Sequence, residues 1–425
     1  ALIQGYADKL DATLVTELAS NDQESMLRIV HNDGREMAAI DLKAPGSTFG
    51  YSGLAEAKAD IGMSARRARD RDVNLLNAAG MEDPRDTENE HVIGLDGLIV
   101  IVNAQNPIQS MSLEELGLVF AGIVTNWSQL GGPDAPINLH SRDEESGTFQ
   151  SFGSLVLSPQ NALLSPTAIQ YGDNNALSDA VAGDTGGIGV TGIANQRAAK
   201  AIPIRQECGI LSYPTSFAMK TEEYPLSRRL YLYTPRADMT AHARQIIEFS
   251  MSPEAQPLIQ DAGFVGQAVE ASPINNQGAR IIHALTGEQE APVGLLREML
   301  SSLKTAERLS TTFRFTPGSS QLEPKSQADA LRLAEDLAAG KYAGKEILLL
   351  GFTDSVGQFE LNRALSARRA DVVRQSMVAS VAPGALDEVS LSVLGYGELA
   401  PVGCNTNLDG RSMNRRVEVW LRDPA

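Results

Sequence analysis

Apolar residues over the first 270 positions gather in short runs set between stretches of helical spacing. The runs 27–31, 37–42, 59–63, 97–102 and 137–140 have the length and aliphatic content of strands. Ser112 and Glu115 form a capping box, each satisfying a backbone N–H, that opens a helix to about Ala121. Strands alternating with helices predict an α/β protein. Around 271–292 Pro, Asn and Gly interrupt the pattern, so a linker is expected over 270–308, with a helix at 293–306. From Thr311 a smaller α/β pattern begins, with strands at 312–316, 346–352, 388–397 and 414–421 and a helix at 326–339. In the last strand Val417, Val419 and Leu421 share one face and Glu418, Trp420 and Arg422 the other. The expected domains are 1–269, the linker, and 309–425.

Length agrees, since 425 residues exceed one ordinary core. The 43% hydrophobic content with few aromatics is that of a soluble globular protein. Lys and Arg total 36 against 53 acids, a formal net charge of −17. That balance argues against nucleic acid or an anionic membrane surface as the main partner. No apolar run is long enough for a transmembrane helix. The chain opens at Ala1 with no basic-then-apolar leader, so a signal peptide already removed is expected; a trimmed chain would read the same. Cys208 and Cys404 lack metal-ligand spacing and are expected as two free thiols, with an interdomain disulfide as the alternative in an oxidising compartment. The histidines are scattered, and neither metal nor cofactor is expected.

The stretch HSRDEESGTFQSFGSL, residues 140–155, points to anion chemistry. A strand ends near His140, and Ser146, Gly147 and Thr148 then open a helix, aiming backbone N–H groups and a positive dipole end at one point. The two hydroxyls add donors, Gly147 allows close approach and Arg142 adds a fixed cation. An ordinary serine cap beside a surface arginine is the alternative. His140 shares a strand face with Arg142 and reads as structural. A second loop-to-helix start lies at Ser47 and Thr48, and a strand then ends at Ser64, Ala65 and Arg66. Arg69 and Arg71 read as a solvated basic patch.

With DGLIVIVNAQNPIQSMSLEELGLVFAGIVTNWSQLGG and GDTGGIGVTGI, these stretches resemble the PstS-like periplasmic phosphate-binding proteins of ABC importers. The resemblance covers roughly 1–265. It implies a two-lobed α/β fold that closes over inorganic phosphate, gripped by Arg142, Ser146, Gly147 and Thr148 in one loop, Ser47 and Thr48 in another, and Ser64 and Arg66 at a strand end. Two departures stand out. Some members carry, near Ala65, an Asp that accepts the proton of bound phosphate; here that role is vacant or falls to Asp143, Glu144 or Asp173, which leaves phosphate against sulfate open. GYADKL also replaces the usual Gly/Ser-rich first loop.

The last quarter carries GFTDSVGQFELNRALSARRADVV, then GYGELAP and NLDGRSMNRRVEVWL. Asp354 follows an apolar strand, and Arg369 reads as the third position of a helix capped by Ser366. A carboxylate and a guanidinium at a positive helix end can grip a zwitterion. Separately, Asp354 reads as a turn acid and Arg369 as an exposed base; together the stretches resemble the OmpA-like peptidoglycan-binding domain over about 310–423. The resemblance implies that Asp354 and Arg369 hold the diaminopimelate of wall peptide, with Asn362, Arg411, Asn414 and Arg415 in supporting or structural roles. Phe352 stands where the family often has His, and Gly351 and Gly357 read as turn glycines.

The resulting expectation is a non-enzymatic periplasmic phosphate-binding protein of a Gram-negative cell, anchored to peptidoglycan near the outer membrane, with an ABC permease as a further candidate partner. The alternative is a wall-anchored adaptor whose first module binds a protein or another ligand. Phosphate-ester hydrolysis is a third class, without a metal cluster, an activated nucleophile or paired acids to support it.

Overall fold

The computed structural model describes the chain except residues 19–23, 45, 145, 236–238, 279, 283–291, 317, 318, 320 and 425. The chain divides into two units, Ala1–Asp96 with Arg228–Ala268, and Gly97–Ser227 with Val269–Ala425. The strand Glu90–Val102 carries the chain from the first into the second, and Ser227–Tyr233 returns it.

In the first unit, Ala12–Leu18, Glu24–His31 and Glu36–Lys43 form an antiparallel sheet in sequence order. Its second hairpin turns at Asp33-Gly34, where Gly34 takes φ 86°, a left-handed value that favours glycine. Tyr6, Ala7, Ile29, Ile246 and Phe249 make one core cluster of this unit. Tyr51, Leu54, Val73, Leu76, Tyr231 and Tyr233 make another.

The second unit contains two sheets. In one, residues 98–102 pair antiparallel with Gly187–Gly192, which is parallel to Asn138–Arg142; that strand runs parallel to Ile169–Tyr171. Both capping-box bonds expected at Ser112 and Glu115 open the helix Leu113–Phe120. The other sheet has the order Ala271–Pro273, Glu307–Arg314, Arg416–Arg422, Glu346–Gly351, Ser390–Gly395. Val417, Val419 and Leu421 face the core built with the helices Pro324–Ala338 and Phe359–Ala379. Trp420 on the opposite face enters a second core with Leu295, Leu296, Met299 and Phe352. Part of the stretch expected to be a linker therefore contributes a strand, Ala271–Pro273, and a packed helix, Val293–Leu303, to the C-terminal sheet; residues 279 and 283–291 of that stretch lie outside the described residues.

Two features join residues of the 97–227 segment to the C-terminal sheet. Cys208 and Cys404 form a disulfide, Cα to Cα 5.6 Å, which corrects the expectation of two free thiols. The tip of a hairpin (Ile204–Arg205 and Leu211–Ser212) meets the 402–406 loop through the Gln206 side chain, which donates to Val402 O and accepts from Cys404 N, and so brings together cysteines 196 positions apart. The second feature is a buried charge cluster. Glu418 accepts from Arg280 at 2.7 and 3.0 Å, from Arg416 Nε at 2.8 Å and from Trp420 Nε1 at 2.9 Å, while Arg308 pairs with Glu223 of the 97–227 segment. Burial works to raise the Glu418 carboxyl, and the three arginines outweigh it, holding it well below the usual range.

Candidate functional site

Each unit carries part of the expected anion constellation. In the first, Gly50 and Gly62 let a helix lie directly on a strand: a Cβ at Gly50 would stand 2.4 Å from the Met63 carbonyl oxygen. The helix Ser47–Ala55 thereby brings its first residue to the end of strand Gly62–Ser64, where Ser47 Oγ accepts from Ala65 N at 3.0 Å. Ser64 Oγ donates to Arg66 O at 2.7 Å and lies 3.1 Å from Tyr51 OH. Arg66 forks onto Asp72 at 2.5 and 3.1 Å, with its guanidinium 4.8 Å from the Tyr51 ring centre. Ser47, Ser64 and Arg66 are thus brought together; Thr48 is exposed on the same turn. The Asp72 hydrogen bond raises the Arg66 pKa. Burial pulls Asp72 the other way, and Arg66 outweighs it, leaving the carboxyl below its ordinary value.

In the second unit the strand Asn138–Arg142 ends beside a short helix, Gly147–Phe152. Ser146 caps it, its Oγ accepting from Thr148 N and Phe149 N at 3.2 and 3.4 Å. Arg142 is oriented by its own surroundings: Nε donates to Tyr171 O at 3.0 Å, Nη1 to Asn174 Oδ1 at 2.9 Å and Nη2 to Gly172 O at 2.9 Å. Asn174 Nδ2 then donates to Thr148 Oγ1 at 3.3 Å, so Arg142, Asn174 and Thr148 form one chain of contacts ending at the helix that Gly147 begins. Asn174 was missed by sequence reasoning; its signal was the cap sequence DNN, of which Asp173 caps the helix Asn174–Gly183 through Ala176 N. Of the acids considered for the proton-accepting role, Asp143 lies 3.4 Å from Arg142 Nη2, Asp173 is committed to its cap, and Glu144 is exposed. His140 is buried between Tyr171 OH, 2.8 Å, and Asp184, 3.2 Å.

The third constellation lies in the C-terminal domain. Asp354 follows the strand Glu346–Gly351; its Oδ1 accepts from Val356 N at 3.0 Å and its Oδ2 from Arg415 Nη1 at 2.7 Å. Asn362 Nδ2 donates to the carbonyls of Asp354 and Val356 at 3.3 and 3.2 Å, tying the turn to the helix Phe359–Ala379. That helix corrects the local reading around Ser366. Its N-cap is Gln358, and Ser366 and Arg369 sit in its middle, so the positive end of this helix is not at Arg369. Ser366 Oγ donates back to Arg363 O and accepts from Gly397 N, as a serine within a helix does. Gly351 is likewise corrected from a turn glycine to a contact one, since a Cβ there would lie 1.9 Å from Ser366 O; Gly357, at φ 109°, is the turn glycine.

Arg369 is 9% exposed, its guanidinium 5.3 Å from the Phe315 ring centre. Among the described residues its Nε and Nη1 have no hydrogen-bond partner. Burial lowers its pKa and Arg415 adds to this, against Asp354. Asn414 is buried and structural, accepting from Val402 N and Gly403 N and donating to Gly403 O and Asn405. Arg411 donates to Asn405 O at 3.0 Å. Sequence reasoning missed Asn405, and also Glu398, which lies 3.5 Å from Asn362 Nδ2 and whose carboxyl is raised by burial and by Asp354. Phe352 points into the core under the Arg416 guanidinium, 4.3 Å from its ring centre. Among the described residues no group of three or more His, Cys, Asp or Glu is placed to hold a metal ion, and no helix is long and apolar enough to cross a membrane.

Residues 13–254 match the PBP superfamily domain, and residues 314–415 match the OmpA family. Over 252 residues the chain is 27% identical to the phosphate-binding protein PstS of Borreliella burgdorferi, covering 57% of this chain and 84% of that protein. Over 119 residues it is 37% identical to outer membrane porin F of Pseudomonas fluorescens, covering 28% of this chain and 34% of that one. Among solved structures, an ABC-type phosphate transport receptor from Vibrio cholerae is similar at 28% identity and a TM-score of 0.43, covering 52% of this chain and 85% of the other.

Proposed function

We propose that this chain, which belongs to the PBP superfamily, binds inorganic phosphate through its first 269 residues and is held to peptidoglycan by residues 309–425, without catalysing a reaction. The phosphate half rests on the Arg142, Asn174 and Thr148 chain beside the Ser146 cap. In the first unit the Ser47 hydroxyl, which accepts from Ala65 N, keeps its own proton for an anion, whereas the Ser64 hydroxyl is spent on Arg66 O. At a net charge of −17 long-range attraction works against an anion, so affinity comes from preorganised donors. The tether rests on Arg369, a buried guanidinium with donors to spare, for the ligand carboxylate, and on Asp354 for its ammonium. The compartment is the periplasm. A binder fixed at the wall serves sensing or scavenging as well as delivery to an ABC permease.

One observation favours the second reading, a wall-anchored adaptor: Arg66 and Arg142 already spend donors on Asp72 and on Tyr171, Gly172 and Asn174. Isothermal titration of the full chain, stripped of ligand, with phosphate and then sulfate separates the two. Phosphate binding that an Arg142→Ala variant loses supports the receptor. No heat with either anion from folded protein leaves the adaptor.

A further inference from the structure

The residue that follows Cys404 reaches the wall site. Asn405 Oδ1 accepts from Ser355 N at 3.3 Å, next in the chain to Asp354, and from Asn414 Nδ2 at 2.9 Å. Its carbonyl accepts from Arg411 Nη1. One side-chain oxygen therefore braces the turn on which Asp354 rides.

The loop 402–406 has no regular secondary structure of its own and is fastened from two sides. On one, Gly410 packs so closely that a Cβ there would stand 2.1 Å from Cys404 O. On the other is the hairpin tip of the 97–227 segment. Gln206 donates to Val402 O at 3.1 Å and accepts from Cys404 N at 3.0 Å, Thr406 Oγ1 lies 3.3 Å from Glu207 Oε2, and the disulfide closes the contact. Cys404 is buried and Cys208 exposed, so a thiolate from solvent approaches from the Cys208 side.

We propose that Asn405 is a positioning residue for the wall site and that the Cys208–Cys404 disulfide holds it there, so that reduction weakens the grip on wall peptide. The proposal rests on the wall-binding reading above. The reductant is a dithiol: its thiolate attacks Cys208 Sγ and Cys404 leaves, and its second sulfur then displaces Cys208. The dithiol ends as a disulfide, and the two cysteines gain two electrons and two protons. The hydrogen bonds that remain from Gln206 and Thr406 are individually weak, so the loop and the Ser355 turn open more often.

The test uses the full chain, oxidised or reduced with dithiothreitol, and two readouts. Hydrogen–deuterium exchange over 352–358 and 402–407 is expected to quicken about tenfold on reduction, with the rest of the C-terminal sheet unchanged. The Kd for a diaminopimelate-containing wall tripeptide is expected to rise about three- to tenfold on reduction and in a Cys208→Ser/Cys404→Ser variant. Asn405→Ala should match them, whereas Asn405→Asp, which keeps the accepting oxygen, should bind like the parent. Equal exchange at 352–358, or equal affinity, in the two redox states overturns the proposal. If the oxidised protein does not bind the tripeptide at all, the wall-binding reading fails instead, and the exchange data still decide whether the disulfide braces the turn.

Discussion

Arg415 donates from Nη1 to Oδ2 of Asp354 at 2.7 Å, whereas among the described residues Nε and Nη1 of the buried Arg369 have no hydrogen-bond partner. In the wall-binding role proposed above, one arginine holds the acid in place and the other takes the ligand carboxylate.

A buried guanidinium with unmade hydrogen bonds costs folding free energy. Arg369→Met, which keeps the length of the side chain and removes the charge, is expected to leave Tm unchanged or raise it by a few degrees, about 0–4 °C. Its retention on diaminopimelate-type peptidoglycan should fall at least about tenfold. Parent-like retention by a folded variant would show that Arg369 does not meet the ligand.

The alternation of short strands and helices was legible because periodicity is local: the run 97–102 lies within the longer strand Glu90–Val102, and the Ser112 box and the two-faced strand Arg416–Arg422 both form. Arg369 was singled out through its motif, and its setting was misread. Ser366 looks like a cap in isolation, yet no Gly or Pro breaks the run from Phe359 to Ala379, and its hydroxyl donates back to Arg363 O and accepts from Gly397 N of a distant turn. Glu418 and Trp420 were placed on the other face of that strand, and alternation says nothing of what covers it. The second core and three arginines do. The disulfide stood only as the alternative for the same reason, its cysteines lying 196 positions apart in sequence.

Glu418 gives a stability prediction with a sign. Replacing it with Gln leaves Arg280, Arg308 and Arg416 buried without its charge, and unfolding free energy is expected to drop by about 3–5 kcal/mol. Because the folded carboxyl titrates below its unfolded value, its contribution is present above the unfolded pKa, about 4.3, and is lost as pH falls below it. Urea titrations from pH 7 to pH 3 should show a steeper acid loss in the parent than in Glu418→Gln. Parallel curves would refute this role.

His91 makes the complementary test in the first unit. Its Nε2 lies 2.8 Å from Thr234 Oγ1, and burial lowers its pKa from 6.5 to about 4. The folded state holds the neutral ring while the unfolded chain takes up a proton. The resulting stability is present above pH 6.5 and is lost as pH falls from there toward 4, up to roughly 2–3 kcal/mol. His91→Gln is expected to flatten the pH dependence of Tm over that window, and an unchanged slope would assign the acid loss to other groups.

Asn174 offers the sharpest test of the anion site because it touches both Arg142 and Thr148. Asn174→Ala removes the Thr148 contact and one of the three that orient Arg142, and the reordering needed on binding should weaken phosphate about tenfold while stability changes by less than about 1 kcal/mol. Asn174→Asp keeps an acceptor for Arg142 but sets a carboxylate where the anion would sit. Repulsion then adds to the lost Thr148 contact, and a loss of about a hundredfold is expected at low salt. Added salt should narrow the gap between the two variants, since only the second acts through charge. If both variants bind phosphate as the parent does, Asn174 serves the helix start alone, and the anion is not held by the Arg142 loop.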